Sequence, residues 1–214
     1  GEFNSEFHSF FKTFIATIKT ESLTSLLTLR LELRTHAFYY VDLTLRESNY
    51  ALEEPADEPD SYVSMLYNEL NDLDSILTDW LPFNEHLFCV EGLSKIFELI
   101  LINGFRYIKD INDFGFDKLY ATVKTVEQLI TLICPPSEPE LEKVIAFYDL
   151  ARTGPEKLIE KATDCPFKFT QLQYQSILDV YYKPGGDEDD NDEAVVAQRK
   201  EYQNQLVRIQ YLSK

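Results

Sequence analysis

The sequence predicts an all-α fold, an elongated bundle of about seven or eight antiparallel helices. Apolar residues recur at steps of three and four along most of the 214 residues, which is the spacing of one helix face. No segment sustains the alternation of apolar and polar residues typical of a half-buried strand. Seven glycines are few for a fold rich in hairpins. Because prolines separate the periodic segments, we expect short connections between antiparallel neighbours.

The first two predicted helices lie on either side of an acidic, proline-containing loop that spans Glu53 to Pro59. Asp60 is the predicted N-cap of the second helix, because its carboxylate can accept a hydrogen bond from the first turn. That helix starts at Ser61, and the ring of Pro82 ends or kinks it. The stripe of the first helix comprises Phe7, Phe11, Phe14 and Ile18, followed by Leu26, Leu29, Leu33, Ala37 and Tyr40.

The segment from Asn84 to about Ile111 is predicted to be one central helix, buried on several sides. Nearly every residue between Leu93 and Ile108 is apolar, apart from one charged stripe. Ile102 falls in a gap of that stripe, where it is either a core residue in a shallow groove or an exposed contact. Packing in the core is the preferred interpretation. The stripe consists of Glu91, Lys95, Glu98, Arg106 and Lys109.

Further helices are predicted after this segment, each delimited by a cap or a proline. One runs from about Asp117 to Ile133, and another starts at the capping serine Ser137. The second of these either ends near Thr153 and restarts on Pro155, or kinks there. A capping box at Thr170 opens the next helix.

The C-terminal part contains an acidic run from Asp187 to Glu193, which we interpret as a solvated loop. A calcium-binding EF-hand starting at Asp187 would need glycine at position 192 and glutamate at position 198, and both positions differ. The last helix begins at about Ala194. Its apolar face comprises Val195, Tyr202, Leu206 and Ile209.

The composition makes several classes of protein improbable. A net charge of −17 repels nucleic acids and anionic lipids, so we expect no nucleic-acid binding and only indirect membrane association. Three widely spaced cysteines favour a reducing compartment, and no apolar run is long enough to span a membrane. We therefore expect a cytoplasmic protein, with residues 1–3 as a cloning remnant and residues 4–214 as a single domain. The candidates for a basic face are sparse: Arg30 with Arg34, Arg106 with Lys109, and Arg199 with Lys200.

Three motifs could carry chemistry, but a structural role is favoured for each. Asp113-Phe114-Gly115 spells the magnesium motif of protein kinases without the other kinase motifs, so we predict a turn at a helix junction. His86 and Cys89 have a spacing suited to two zinc ligands, whereas a structural zinc site needs four, so thiol packing is preferred. His36 is predicted to be a hydrogen-bonded core histidine. No catalytic, cofactor-binding or metal-binding residue is predicted.

Three strings are long enough for comparison with known families: L-R-L-E-L-R-T-H-A-F-Y-Y from Leu29, E-S-N-Y-A-L from Glu47, and E-H-L-F-C-V-E-G-L-S-K-I-F-E-L-I-L-I-N-G-F-R-Y-I from Glu85. In order and approximate spacing they resemble the C-terminal region of the exocyst component four family, also called Sec-eight. The resemblance extends from about Leu23 to Val180. It implies a helical bundle of the rod type found in tethering complexes.

The residues that carry the resemblance are interpreted as packing residues, and the partner-binding residues stay unassigned. Gly92 and Gly104 lower helix propensity, so each is best explained by the close approach of a neighbouring helix. The tyrosines combine a large apolar area with a hydroxyl group that can satisfy a buried polar group. The motif residues are Arg34, His36, Phe38, Tyr39, Tyr40, Asn49, Tyr50, Glu91, Gly92, Leu93, Ile102, Asn103, Gly104 and Tyr107.

The resemblance also implies a function. It indicates a non-enzymatic exocyst module that helps to tether secretory vesicles to the plasma membrane before SNARE-mediated fusion. The expected partners are other exocyst subunits, with regulatory GTPases and SNARE-related proteins as further candidates. The expected location is cytoplasmic and peripheral, at plasma-membrane sites of secretion. The alternative is a module that contacts membranes or phosphoinositides directly, which the net charge of −17 disfavours.

Overall fold

A computed structural model describes residues 2–55, 58–182 and 193–212. Within those ranges the chain is an all-α bundle, as predicted, and it contains no β-strand. One isolated parallel bridge pairs Tyr50 with Ile111. The described α-helices are α1 Glu2–Glu47, α2 Ser61–Trp80, α3 Phe83–Val90, α4 Leu93–Gly104, α5 Asp113–Ile133, α6 Glu142–Arg152, α7 Pro155–Asp164, α8 Gln171–Tyr182 and α9 Glu193–Leu212.

Helix α1 is much longer than its neighbours, and only its C-terminal half is packed. Its 46 residues span about 70 Å at the rise of an α-helix. The residues from 7 to 25 are all exposed, whereas the later part packs against α2, α3 and α4. The buried face of this later part consists of Leu33, Ala37, Val41 and Leu45, with Tyr40 at its edge.

Helix α2 has the boundaries that its local sequence predicts. The Asp60 carboxylate accepts a hydrogen bond from the Tyr62 amide at 3.0 Å, so Asp60 is the N-cap. The helix ends at Trp80, and Leu81 before Pro82 has an extended backbone.

The predicted single helix from Asn84 to Ile111 is wrong, because the chain divides it into α3, α4 and a 3₁₀ turn at Phe105–Tyr107. The division between α3 and α4 falls at Gly92, which has a φ of +81°. This left-handed conformation, rather than a close approach, is what requires glycine there, since an added Cβ would come no closer than 3.9 Å to a neighbour. The predicted packing role of Ile102 is confirmed, because only 2% of its surface is exposed.

The charged stripe of this segment is not a uniform solvent face. Glu98 is buried, and its carboxylate accepts from the Lys95 ammonium at 2.6 Å and lies 3.2 Å from the Lys143 ammonium. Burial alone would raise the Glu98 pKa, but the two lysines outweigh that effect and the pKa is lowered. An isolated sequence cannot reveal this pairing, because Lys143 belongs to α6.

Two predicted helix starts are displaced. Helix α6 begins at Glu142 rather than at the capping box of Ser137, because Pro139 disfavours a helical backbone at the preceding Glu138. Helix α5 begins at Asp113, since the Asn112 side chain accepts from the Gly115 amide at 3.0 Å and caps it. The Asp113-Phe114-Gly115 motif is therefore a helix start.

The remaining helix signals are confirmed where the structure describes them. Helix α6 ends at Arg152 and α7 restarts on Pro155. Thr170 and Gln173 form the reciprocal capping box of α8, with nitrogen–oxygen distances of 2.8 and 3.3 Å. The predicted acidic loop from Asp187 and the side chain of Val195 lie outside the described residues. On α9, Tyr202 and Ile209 are buried.

Candidate protein-binding groove

Arg34 joins α1 to the turn between α3 and α4. Its guanidinium donates to the carbonyl oxygens of Cys89 at 3.0 Å and Glu91 at 2.6 Å. Burial and the neighbouring Arg30 lower the Arg34 pKa. Leu93 is fully buried directly after this turn. Arg34 and Leu93 therefore fix the helices around this turn, while the side chain of Glu91 is exposed.

The same turn has a second anchor that the sequence did not indicate. The Glu138 carboxylate accepts hydrogen bonds from the Gly92 amide, the Ser94 hydroxyl and, at 3.2 Å, the Ser94 amide. A carboxylate at the first turn of α4 also offsets the partial positive charge of that helix end. The predicted capping segment around Ser137 thus caps α4 from a distance instead of opening a helix of its own.

His36 and Tyr40 connect α1 to α2 through one carboxylate. The Glu69 carboxylate lies 2.8 Å from His36 Nδ1 and accepts from the Tyr40 hydroxyl at 2.5 Å. This hydrogen bond raises the Tyr40 pKa to about 12 and lowers the Glu69 pKa. Glu32 lies 3.0 Å from the other ring nitrogen of His36. His36 is hydrogen-bonded as predicted, but it lies at the edge of the core, with 27% of its side chain exposed.

Tyr50 and Asn49 shape the chain after α1. The Tyr50 hydroxyl donates to the Thr44 carbonyl at 3.0 Å, and its own carbonyl accepts from the Asn112 amide at 3.2 Å. Burial raises the Tyr50 pKa well above its ordinary value. Asn49 accepts from the Ala51 amide at 3.0 Å within an Asx turn. Both residues therefore hold local structure.

Gly104 is a close-approach point between α4 and α1, as its position in the sequence predicted. A Cβ added at Gly104 would collide with Cδ1 of Leu45 and lie 3.6 Å from its Cγ. Leu45 is itself almost fully buried, so it has little room to move. The missing side chain allows the two helices to approach each other and leaves an open apolar groove beside the contact.

The groove has a volume of about 330 Å³ and lies between α1 and α4. Phe38 and Leu99 are its exposed apolar residues, with 56% and 45% of their surfaces accessible. It contains four motif residues, Phe38, Asn103, Gly104 and Tyr107, together with Asp42, Ile96, Leu99, Ile100 and Arg106. Tyr39, by contrast, is exposed and does not line the groove; its ring packs edge-on against Tyr40.

Two arginines flank Tyr107 at one end of the groove. The Arg46 guanidinium lies 3.4 Å from the ring centroid, and that of Arg106 lies 4.8 Å from it. Arg106 also donates to the Tyr107 hydroxyl at 2.6 Å, while Arg46 donates to the Asp42 carboxylate at 2.6 Å. The tyrosine ring is thus held by cation–π contacts, and the groove end is positively charged.

A smaller cavity of about 120 Å³ lies at the start of α8, and its lining shares Asn103 and Arg106 with the groove. The side-chain oxygen Oδ1 of Asn103 accepts a hydrogen bond from the side-chain Nε2 of Gln173 at 3.0 Å. Leu172, beyond this contact, is 76% exposed. The polar pair Asn103 and Gln173 therefore lies between the groove and the exposed Leu172.

Sequence reasoning did not identify the exposed apolar residue of α4. It left open whether Ile102 is a core residue or an exposed contact, whereas Leu99 is the residue that faces solvent. A signal was present, because Lys95, Leu99 and Asn103 follow one another at steps of four on the same helix face. The contributions of Arg46 and Leu172 depend on other helices and had no local signal.

The arrangement offers an apolar binding surface with one charged end. Among the described side chains, no group of three or more His, Cys, Asp or Glu residues could hold a metal ion. His86 pairs with Asp74 at 2.7 Å, and Cys89 is buried, so the thiol-packing interpretation is confirmed. In the same part of the chain, no helix combines the length and apolar character that crossing a membrane requires.

These features define an all-α bundle of the helical-rod type. The chain is similar to exocyst complex component 4 of Homo sapiens, with 26% identity over 157 residues, which cover 72% of this chain and 16% of that protein. It is 28% identical over 130 residues to the Dictyostelium discoideum protein of the same name and 25% identical over 166 residues to that of Drosophila melanogaster. These matches cover 61% and 76% of this chain and 11% and 17% of the two relatives.

The relatives confirm the resemblance predicted from the sequence, because each match is to exocyst complex component 4. No protein-family model matches it. The chain spans about a sixth of the length of the human protein that it matches.

Proposed function

We propose that this chain is a non-enzymatic part of an exocyst subunit that helps to tether secretory vesicles to the plasma membrane before SNARE-mediated fusion. It acts through protein–protein contacts, and its partners are other exocyst subunits. The location is cytoplasmic and peripheral, at sites of secretion. The similarity to exocyst complex component 4 in three organisms supports the assignment to this complex.

The observation that carries the contact mode is the groove between α1 and α4. Four of the residues that carry the family resemblance, Phe38, Asn103, Gly104 and Tyr107, line this groove. Exposed apolar side chains beside a cavity are typical of surfaces that bind other proteins. Other motif residues, among them Arg34, Tyr50 and Leu93, hold the helices and turns that support this surface.

The first candidate for a basic face and the net charge support a protein partner over a phosphoinositide membrane. Arg30 and Arg34, the first candidates for a basic face, donate to the carbonyl oxygens of Phe88, Cys89 and Glu91. Both guanidinium groups therefore hold the helices together. A net charge of −17 adds long-range repulsion from anionic lipids.

The experiment compares the full-length subunit with a variant carrying Leu99→Asp in this region. We expect the variant to recover fewer exocyst subunits on affinity purification and to secrete more slowly, because a buried carboxylate opposes docking. Leu132→Asp is the matched control, since Leu132 is 54% exposed on α5, away from the groove. Normal recovery and secretion with the Leu99 variant would contradict the contact mode.

The membrane alternative has its own test. The isolated chain is mixed with vesicles that contain phosphoinositides, at physiological salt, and pelleted. We expect the chain to stay in the supernatant. Binding that weakens with salt would favour the membrane-contact function instead.

A further inference from the structure

The groove between α1 and α4 differs in charge from two other cavities of the described chain. One cavity beside α5 is lined by Glu127, Glu138 and Glu140, with no basic residue. Another contains three glutamates and only Lys143 to balance them. The lining of the α1–α4 groove contains one acid, Asp42, and one base, Arg106. Although the chain has a net charge of −17, the lining of this groove therefore has no excess of acids.

Of the two charged residues that line the groove, Arg106 is the one whose charge is available to a bound partner. Asp42 already accepts a hydrogen bond from Arg46 at 2.6 Å. The Arg106 guanidinium donates a hydrogen bond to the Tyr107 hydroxyl and makes a cation–π contact with the Tyr107 ring. It forms no ion pair within the described residues. A guanidinium has five N–H donors, so a carboxylate can bind beside the phenol without displacing it.

Extending the proposed function, on which this inference rests, we propose that the groove binds an amphipathic helix of a partner protein. Apolar side chains of that helix pack between Phe38 and Leu99. An aspartate or glutamate of the same helix pairs with Arg106. The occupant is thus an acidic amphipathic helix supplied by another protein.

A helix suits this groove better than an extended segment. The walls are the helices α1 and α4, whose backbone groups are already paired internally, and they offer no sheet edge to which a strand could add. An extended peptide would leave its own amides and carbonyls without partners on an apolar surface. A helix satisfies its backbone internally and presents side chains at steps of three and four, which match a groove between two helices.

The experiment uses the whole 214-residue chain and a displayed library of helical peptides as the probe. Each peptide has about 18 residues, or five turns, with leucine fixed on one face and the other positions drawn from Ala, Glu, Gln, Lys and Ser. Peptides retained by the wild-type chain are sequenced, and their affinities are measured by fluorescence anisotropy. We expect enrichment of glutamate next to the leucine face.

Variants of the chain then locate the binding. Leu99→Asp and Phe38→Asp should weaken the selected peptides by about tenfold or more, because each places a charge in the apolar contact. Leu132→Asp and Phe83→Asp are matched controls on exposed apolar residues elsewhere, and they should leave affinity unchanged. Arg106→Glu should disfavour glutamate peptides and favour the same peptides with lysine, whereas Arg208→Glu on α9 should do neither.

Several outcomes would overturn the inference. If the affinity of the selected peptides does not change with Leu99→Asp, the peptides do not bind in the groove. If lysine rather than glutamate is enriched on the wild-type chain, the proposed pairing with Arg106 is wrong. Dimerisation in sedimentation that Leu99→Asp abolishes would identify a second copy as the occupant. Vesicle binding that the same variant abolishes would identify lipid. The proposed function is judged by a separate measurement. Normal co-purification of exocyst subunits with the full-length Leu99 variant would contradict the proposed function, even where the peptides bind the groove as expected.

Discussion

Leu45 of α1 lies directly over the α-carbon of Gly104 on α4, at a point where any side chain on residue 104 would collide with it. This contact fixes the spacing of the two helices that form the groove. It also explains why a residue with poor helix propensity ends a helix whose other residues are mostly apolar.

Gly104→Ala should therefore destabilise the chain by about 1 to 3 kcal/mol, because the added methyl group overpacks the contact with Leu45. Urea unfolding measures the change. In a Leu45→Ala background, which itself costs about 2 to 5 kcal/mol, the same glycine substitution should cost little. Equal costs in both backgrounds would show that Leu45 is not the colliding group.

Arg34→Met should destabilise the chain by about 2 to 3 kcal/mol, since it removes charged donors from the carbonyls of Cys89 and Glu91. Arg34→Lys should recover only part of the loss, because one ammonium cannot reproduce the planar fork of a guanidinium. Thermal and urea unfolding give the values. Arg208→Met, at an exposed position of α9, is the control and should be close to neutral. A neutral Arg34→Met would remove the argument that this side chain holds the turn.

The buried carboxylate of Glu98 should make stability depend on pH. Its pKa is lower in the folded chain than its ordinary value of 4.5, since the bonds with Lys95 and Lys143 outweigh the effect of burial. Its contribution is therefore fully present above the ordinary value and is lost as the pH falls through the folded pKa. Between neutral pH and about pH 3, the free energy of unfolding should fall more steeply for the wild type than for Glu98→Gln. Parallel curves would contradict the lysine pairing.

The three cysteines should differ in reactivity. Burial raises the pKa of the Cys89 thiol, and burial together with nearby acids raises that of Cys134 to about 12, whereas Cys165 is only half-buried. At pH 8 we expect Ellman's reagent to modify Cys165 first in the native chain. Cys89 and Cys134 should react only after urea unfolds it. Rapid reaction of all three thiols would show that Cys89 in α3 and Cys134 at the end of α5 are not buried as described.

The sequence by itself determined the all-α class and the helix ends that local chemistry controls. Asp60, Pro155 and the capping pair at Thr170 act within one turn of the backbone, so their effect does not depend on distant residues. The close approach at Gly104 was predictable for a similar reason, because an internal glycine needs an explanation wherever the helix packs.

Only the tertiary structure decided how the central segment divides and where the groove lies. The turn at Gly92 is held by Arg34, whose bond to Glu91 spans 57 positions, and by Glu138, a further 46 positions beyond the glycine. The groove exists because α1 and α4 lie side by side, with Phe38 on one and Leu99 on the other. Helical periodicity shows which residues share a face, but the position of a neighbouring helix decides which apolar residues are covered and which remain exposed.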